Sequence, residues 1–370
     1  HLCTDPFVLI APALQLLTDF CRTPTMPKIL VTGGSGYIGS HTIVDLLEQG
    51  YEVISIDNHS RSDARMLLGI ESITGKKIPH YEIDLCSLDD TEAVFEEHPD
   101  IEGVIHFAAY KAVGESVEQP LLYFENNIQS LVNLLRCVQD HQIPHFVFSS
   151  SCTVYGEPET IPVTEETPLR PAASPYGLTK QIGEQLVDAF VKAAPCSALL
   201  LRYFNPAGAH PSGQIGELPI GKPQNLVPAI TQSALGLIDR LTIHGTDYPT
   251  RDGSCLRDFI HVCDLARAHT QALQYLQRQS TPHQCEAINL GSGDGITVLE
   301  AIHAFEEATD QKLDWIAGPR RPGDVMAIYA NNEKAQSKLG WSVRYNIQDI
   351  MATAWNWECR YRNGETVLSL

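Results

Sequence analysis

The sequence contains no CxxC pair, although ten of its 370 residues are cysteine. Structural zinc sites and disulfide frameworks both depend on regular cysteine spacings, which are absent here. Several of the cysteines lie instead in apolar runs typical of strands or helices. We therefore expect no metal site, and we expect reduced, partly buried thiols in a cytoplasmic protein.

The sequence also lacks a block of lysine and arginine, and its formal net charge is −19. Because a nucleic-acid partner needs a basic face for the phosphate backbone, none is expected. No apolar run is long enough to span a bilayer, and Asp5, Pro6 and Pro12 interrupt the apolar stretch near the start. We expect no membrane partner, and we interpret residues 1–26 as a disordered or non-native extension.

From residue 28 onward, apolar strand-like runs alternate with amphipathic helical patterns. Such alternation is typical of a parallel sheet covered by helices on both faces. It predicts an α/β fold with a doubly wound parallel (Rossmann) sheet and a smaller, mixed α/β C-terminal lobe. The six predicted strands of this sheet are 28–32, 52–57, 80–83, 103–107, 145–150 and 198–203. The predicted domains are 27–205, completed by segments around 236–265, and 206–370.

A glycine-rich turn, GGSGYIG at 33–39, follows the first strand and begins the first helix. Glycines allow the backbone to approach a pyrophosphate, and the free N–H groups at a helix N-terminus attract anions. Asp57 closes the second strand about twenty residues later, the spacing expected of a ribose-binding carboxylate. Such a carboxylate repels a 2′-phosphate, so the pattern predicts NAD, with Arg61 leaving NADP as the alternative.

Further candidate contacts lie past the carboxyl ends of later strands, where open α/β sheets bind ligands. Asp84 and Leu85 follow the third strand on the adenine side, although Asp84 also suits a helix N-cap. Lys111 is placed to reach the cofactor ribose or phosphate. The predicted cofactor-binding residues are Gly33, Gly36, Tyr37, Ile38, Gly39, Asp57, Asn58, Asp84, Leu85, Phe107, Ala108, Ala109, Lys111, Asn126, Ser149, Tyr176, Lys180, Tyr203 and Phe204.

Tyr176 and Lys180 stand four residues apart at the start of a predicted helix. Ser174 and Pro175 suit its N-cap and first position, and the spacing places both functional side chains on one face. A phenol is a poor base at neutral pH, but a nearby cation stabilises the phenolate and lowers its pKa. The pair is therefore predicted to transfer a proton near pH 7.

Ser151 ends the fifth strand twenty-five residues before Tyr176. A serine at a strand end, followed by tyrosine and lysine on the next helix, resembles the extended short-chain dehydrogenase/reductase superfamily. Within it, five segments resemble the UDP-glucose 4-epimerase family, and the resemblance extends from Lys28 to about Arg360. These segments are GGSGYIGSH (33–41), FAAYKAVGES (107–116), RYFNPAGAH (202–210), DYPTRDG (247–253) and LRDFIHV (256–262).

The resemblance implies reversible epimerisation of UDP-glucose and UDP-galactose at C4 through a transient 4-keto sugar and bound NAD+/NADH. The implied catalytic residues are Tyr176 as the base, Ser151 as the hydrogen-bond partner of O4, and Lys180. It also implies a homodimer paired through the helices near 120–140 and 174–193. The implied substrate-binding residues are Lys111, Ser151, Thr153, Tyr176, Asn205, Asn225, Leu226, Arg257, Arg321, Asp324 and Ile328.

Three positions depart from the family pattern as we expect it. Ala109 replaces a glycine beside the cofactor, and His244 replaces an aromatic residue beside the uracil. Ile328 falls at the family's size gate, where a large tyrosine restricts the enzyme to unsubstituted hexoses. Because isoleucine is intermediate in volume, turnover of UDP-N-acetylhexosamines remains an alternative.

Other activities share the fold and the cofactor. A sugar 4,6-dehydratase needs an Asp-Glu pair after the threonine that follows the serine strand, but Val154 follows Thr153 here. A nucleotide-sugar decarboxylase and a non-catalytic NAD(H)-sensing protein remain alternatives, although such sensing proteins often lack the tyrosine or the lysine. The sequence therefore favours the epimerase.

Overall fold

A parallel sheet forms the centre of the computed structural model, which describes residues 26–279, 283–321 and 325–369. The strands in these ranges are β1 (Lys28–Thr32), β2 (Glu52–Ile56), β3 (His80–Tyr81), β4 (Ile101–His106), β5 (His145–Ser151), β6 (Ser197–Tyr203), β7 (Asn205–Ala207), β8 (Leu241–His244), β9 (Leu256–Arg257), β10 (Phe259–His261), β11 (Cys285–Leu290), β12 (Ile296–Thr297) and β13 (Trp315–Gly318).

Helices follow most of these strands. In the described ranges they are α1 (Tyr37–Glu48), α2 (Met66–Thr74), α3 (Leu88–Glu97), α4 (Val113–Glu118), α5 (Pro120–Asp140), α6 (Pro175–Val191), α7 (Leu226–Ala234), α8 (Val262–Arg278), α9 (Val298–Thr309), α10 (Glu333–Leu339) and α11 (Ile347–Arg362). Short 3₁₀ turns cover Cys152–Tyr155 and Val367–Ser369. Among the described helices, none combines the length and the apolar character needed to cross a membrane.

The main sheet has seven parallel strands in the order β11-β6-β5-β4-β1-β2-β3. The chain runs outward from β1 to β3 and then resumes at β4 on the other side of β1. The carboxyl ends of β1 and β4 therefore flank a topological switch point, which is where ligands bind in open α/β sheets. The predicted fold class, a doubly wound parallel sheet, is confirmed.

The C-terminal part of the chain contributes a seventh strand, β11, to the main sheet, which the sequence analysis did not predict. Strand β11 pairs with β6, and helix α8 packs against α1. The segment near 236–265, predicted to complete the first domain, contains β8, which instead pairs with β13 in a separate two-stranded sheet. The division into 27–205 and 206–370 stays a prediction, and the predicted extension, apart from Met26, lies outside the described residues.

Both faces of the main sheet are buried, as the apolar strand patterns require. Ile29 and Val31 of β1 pack with α1 and α8, whereas Leu30 between them packs with α3, α5 and α6. This alternation follows from the two-residue period of a strand. All eight cysteines in the described ranges have free thiols, and four of them are buried.

Candidate active site

The glycine-rich turn brings β1, β2 and the segment after β4 into close contact. The Gly33 N–H donates to the Ile56 carbonyl at 2.7 Å, and Gly33 adopts a left-handed φ of +70°. A Cβ added to Gly33 would lie 2.8 Å from the Ala108 amide nitrogen, and one added to Gly39 would lie 2.2 Å from the Gly33 carbonyl oxygen. Only glycine allows this backbone approach, so the turn leaves the N-terminus of α1 open to a pyrophosphate.

Asp57 lies directly after β2, beneath this turn, and is buried. Its carboxylate accepts hydrogen bonds from the Ser35 N–H at 3.1 Å and from the Ser62 hydroxyl at 2.7 Å. The neighbouring Asn58 side chain donates to Asp84 at 3.2 Å. These contacts join the predicted ribose and adenine residues at one edge of the sheet. The alternative role of Asp84 as a helix N-cap is not observed, because Ser87 caps α3.

The segments after β4 and within α5 extend this edge. Phe107, Ala108 and Ala109 follow β4, and the Phe107 N–H donates to the Thr32 carbonyl at 3.1 Å. Asn126 lies on α5 next to Cys86, whose thiol is 3.7 Å from the Asn126 carbonyl oxygen. The predicted cofactor residues from these segments therefore lie along the carboxyl edge of the sheet.

Helix α6 begins as predicted and carries the tyrosine and the lysine. The Ser174 side chain accepts from the Gly177 N–H at 3.2 Å, and Pro175 occupies the first position of the helix. Lys180 is 5% exposed, and its ammonium donates to the Ser149 carbonyl at 2.7 Å. The Lys180 Nζ atom lies 5.9 Å from the centre of the Tyr176 ring. Tyr176, Lys180 and the end of β5 thus meet in one place.

Burial dominates the pKa of Tyr176 among the described residues, and its lowering by a nearby cation stays a prediction. Burial raises the pKa of Tyr176 to about 12; hydrogen bonding with Ser151 opposes this in part, and Cys152 raises it further. Burial likewise lowers the pKa of Lys180 to about 8, against the influence of Glu184.

Two buried polar atoms on the substrate side have no hydrogen-bond partner among the described residues. They are Thr153 Oγ1, in the turn after Ser151, and Asn205 Oδ1, at the start of β7. Since buried polar atoms are almost always hydrogen-bonded, unpaired ones beside Ser151 suit a polar ligand. Ile328 packs against this turn, in a cluster with Cys152 and Phe204, and is 4% exposed. The predicted size gate therefore lies beside the predicted catalytic serine.

Arg257 and Asp258 are consecutive residues, and a structural ion pair between them is the alternative to a substrate contact of Arg257. Asp258 accepts from the Ser292 N–H at 2.6 Å and from the Ala330 N–H at 3.0 Å, and Arg257 donates to the Leu256 carbonyl. Burial raises the pKa of Cys152, and Arg257 lies close enough to this thiol to oppose that rise. Arg257 therefore lies beside the Ser151 turn, as predicted for a substrate contact.

Glu217 is a residue of the site that sequence reasoning missed. Its Oε1 atom accepts from Lys111 Nζ at 3.2 Å and from Asn225 Nδ2 at 2.6 Å. The carboxylate therefore links a predicted cofactor contact with a predicted substrate contact that precedes Leu226, the first residue of α7. No pattern in the sequence identifies Glu217, because Lys111 is distant along the chain and Asn225 follows in a segment without helix or strand periodicity. Glu184 was also missed, but the sequence could have identified it, because it follows Lys180 by four residues on the same helix face.

For the remaining predicted substrate positions, the structure gives no contact with the Ser151 turn among the described residues. Arg321 is exposed and precedes a gap in the described ranges. Asp324 lies in that gap, outside the described residues. His244, the position expected beside the uracil, lies 3.3 Å from the Pro319 carbonyl oxygen through Nδ1.

The fold and the site define an NAD(P)-type dinucleotide-binding enzyme of the extended short-chain dehydrogenase/reductase class, with serine, tyrosine and lysine at the sheet edge. A family model described as GDP-mannose 4,6 dehydratase, from that class, matches residues 30–354. The chain belongs to the UDP-glucose 4-epimerase family. It is 47% identical over 341 residues to the UDP-glucose 4-epimerase uge1 of Schizosaccharomyces pombe, covering 91% of this chain and 95% of that protein.

Other relatives support the same assignment. A UDP-glucose 4-epimerase of Bacillus subtilis is 46% identical over 337 residues, covering 91% of this chain and 98% of that protein. A crystal structure of UDP-glucose 4-epimerase from Bifidobacterium longum, in complex with NAD+ and UDP, is 43% identical with a TM-score of 0.87. It covers 91% of this chain and 99% of its own.

Replacing Gly33 by alanine tests the close approach in the glycine-rich turn. Gly75 has a similar φ of +68°, but an added Cβ there would have no neighbour within 4 Å. Gly75→Ala should therefore cost only the left-handed strain, about 1 kcal/mol. Gly33→Ala should lower the free energy of unfolding by about twice as much or more, because Ala108 must also move.

Urea denaturation of the two variants measures this difference. Absorbance of nucleotide released on unfolding should show that Gly33→Ala has lost bound dinucleotide and that Gly75→Ala has kept it. Equal losses of stability in the two variants, with equal nucleotide content, would contradict the proposed role of the turn.

Proposed function

We propose that this protein interconverts UDP-glucose and UDP-galactose by reversible epimerisation at C4. The observation that carries the proposal is the convergence of Ser151, Tyr176 and Lys180 at the carboxyl edge of the sheet, beside unpaired polar atoms of Thr153 and Asn205. The family membership supports the same activity. The dehydratase alternative lacks support, because no carboxylate follows Thr153 in the buried turn that Val154 and Tyr155 complete.

The residues of the first domain fit NAD as the cofactor. The glycine turn opens at the N-terminus of α1, and Asp57 lies beneath it, ready to accept from a ribose diol. Arg61, which left NADP as an alternative, pairs with Glu115 at 2.7 Å and lies 4.8 Å from the Tyr110 ring. With this arginine held elsewhere, Asp57 sets the preference for a cofactor without a 2′-phosphate.

When bound, NAD supplies a hydride acceptor for C4 of the sugar, a hydride donor for the return step, and a positive charge that favours the phenolate. Tyr176 takes the proton of the 4-hydroxyl and later returns it on the opposite face of the sugar. Ser151 hydrogen-bonds O4 and positions it for that transfer. Lys180 contributes positive charge to the pocket, held in place by the Ser149 carbonyl.

Residues on the other side of the pocket would hold the UDP part of the substrate. Arg257 supplies a planar, permanently charged donor suited to diphosphate oxygens. Asn205 and Asn225 supply amides, and Thr153 supplies a hydroxyl that has no other partner among the described residues. Lys111 reaches the same region from the cofactor side through its contact with Glu217.

Tyr176→Phe removes the proton-transferring hydroxyl and keeps the ring. Turnover of UDP-galactose to UDP-glucose should fall by about 10²-fold or more, the usual contribution of a general base. The assay couples UDP-glucose to its dehydrogenase without added reductant. Tyr51→Phe is the matched control. Tyr51 precedes β2, at the end of the strand away from Asp57, and its hydroxyl donates to Gln277 of α8. The Tyr51→Phe variant should therefore keep full activity. Full turnover in Tyr176→Phe would rule out the mechanism.

We further propose that unsubstituted hexoses are preferred, with Ile328 as the residue that limits the pocket. Ile328→Gly should raise kcat/KM for UDP-N-acetylgalactosamine relative to UDP-galactose by about tenfold, since removing the side chain makes room for an acetamido group. Ile328→Tyr should shift the ratio the other way. The measurement is kcat/KM on both substrate pairs, and a wild-type preference for the acetylated pair would overturn the assignment.

The protein is further proposed to be a cytoplasmic homodimer. The eight free thiols among the described residues support a reducing compartment.

The dimer is proposed to form through helices α5 and α6. These helices pack side by side on one face of the sheet and carry exposed leucines, with Leu121 72% and Leu178 41% exposed. Light scattering should give twice the mass of one chain, and Leu178→Glu should shift it toward the monomer, because a charge in an apolar interface is unfavourable. A monomeric wild type would contradict the dimer.

A further inference from the structure

A buried polar row crosses three neighbouring strands beneath helix α6. Ser150, Arg202 and Asn289 are register partners on β5, β6 and β11, so their side chains share one face of the sheet. All three are buried, with Ser150 1%, Arg202 6% and Asn289 0% exposed. Polar groups persist in an interior only when they are hydrogen-bonded, so this row depends on its partners.

Glu184 on α6 is the central partner of the row. The Ser150 hydroxyl donates to Glu184 Oε1 at 2.5 Å, and Arg202 donates through Nε at 2.8 Å and through Nη2 at 2.7 Å. The two-pronged contact is the strong, geometrically specific form of an arginine–carboxylate pair. Because Glu184 and Arg202 are both almost fully buried, water screens the pair only weakly.

The same network reaches the turn that carries the predicted substrate contacts. Arg202 Nη1 donates to the Tyr155 hydroxyl at 3.1 Å, and that hydroxyl donates to Asn289 Oδ1 at 2.6 Å. Tyr155 closes the 3₁₀ turn that begins directly after Ser151 and contains Thr153. The network therefore ties α6 to the segment opposite it in the candidate active site.

Lys180 lies one helical turn before Glu184, on the same face of α6. Lys180 binds the Ser149 carbonyl, and Glu184 binds the side chain of the next residue, Ser150. Two consecutive residues of β5 are thus held by two consecutive turns of α6. Any displacement of Glu184 would move the ammonium relative to the end of β5, where Ser151 lies.

We propose that Glu184 is a positioning residue for the reaction: held by Ser150 and Arg202, it fixes α6 against β5 and places a negative charge one helical turn from the buried Lys180 ammonium. This inference rests on the proposed function, because it gives Glu184 a role through Lys180. Glu184 itself binds protein groups and does not act on the substrate.

The charge of Lys180 depends on few neighbours. Burial lowers its pKa to about 8, and among the described residues Glu184 is the charged group that raises it. The His106 ring is neutral, because burial, followed by the charge of Lys180, lowers its pKa to about 3. Other titratable groups near the site are Tyr176, Tyr203 and Cys152, whose pKa values burial raises, and the paired Arg202. Loss of the Glu184 charge therefore lets Lys180 lose its proton at a lower pH.

The test is the pH dependence of kcat for UDP-galactose, measured on the NAD-bound enzyme through the neutral and alkaline range. In Glu184→Gln, the alkaline fall in kcat should move to lower pH by about one unit, the effect of one charge in a partly screened interior. KM should stay within about twofold, because the residue does not touch substrate. Glu184→Asp, which keeps the charge, should restore the wild-type alkaline limb.

Asp188→Asn is the matched control, since it removes a carboxylate one turn further along α6, where Asp188 pairs with Lys192 outside the buried network. Its alkaline limb should coincide with that of the wild type, and a shift equal to that of Glu184→Gln would overturn the proposal. If Glu184→Gln does not fold, the charge-balanced Glu184→Gln/Arg202→Met variant replaces it. A shift in the same direction is expected there, because Glu184 is the partner that acts on Lys180.

A folded Glu184→Gln variant with an unchanged alkaline limb would refute the positioning role. Failure of the proposed function has a different signature. If Tyr176→Phe retains turnover, the assigned chemistry is wrong; if Tyr176→Phe is inactive while the alkaline limb of Glu184→Gln is unmoved, only the role of Glu184 is wrong.

Discussion

The burial of a protonated amine at the carboxyl edge of a parallel sheet is the constraint on which the site depends. A charged group in such an interior is tolerated only with hydrogen bonds and a compensating charge. The Ser149 carbonyl accepts the hydrogen bond of Lys180, and Glu184 supplies the compensating charge. Both contacts require that α6 begin at Pro175 and lie directly over β5, so the helix start and the strand end are determined together.

Sheet topology then brings distant parts of the chain to this point. The reversal of strand order between β1 and β4 opens a crevice, which the glycine turn enters and which the segment after β4 lines. Strand β11 contributes Asn289 to the buried row under α6, although it comes from the C-terminal part of the chain. A separate contact joins the proposed substrate side to the proposed cofactor side, because Glu217 accepts from both Lys111 and Asn225.

Much of this arrangement was predictable, because apolar periodicity and capping residues act locally. The six predicted strands and the start of α6 at Ser174 and Pro175 agree with the structure. Helix α2, helix α4 and strand β11 were missed, since short elements and non-adjacent strand pairing leave weak local patterns. The burial that raises the pKa of Tyr176 could not be predicted, because it depends on packing rather than on the spacing of Tyr176 and Lys180.

The fate of the hydrogen on C4 tests the central claim most directly, because epimerisation within the site must return the same hydrogen to the same carbon. UDP-galactose deuterated at C4 should give UDP-glucose that retains deuterium at C4, as measured by mass spectrometry and NMR. Unlabelled substrate in D₂O should gain none at that carbon. Loss of the label to solvent, or its appearance from D₂O, would contradict the account.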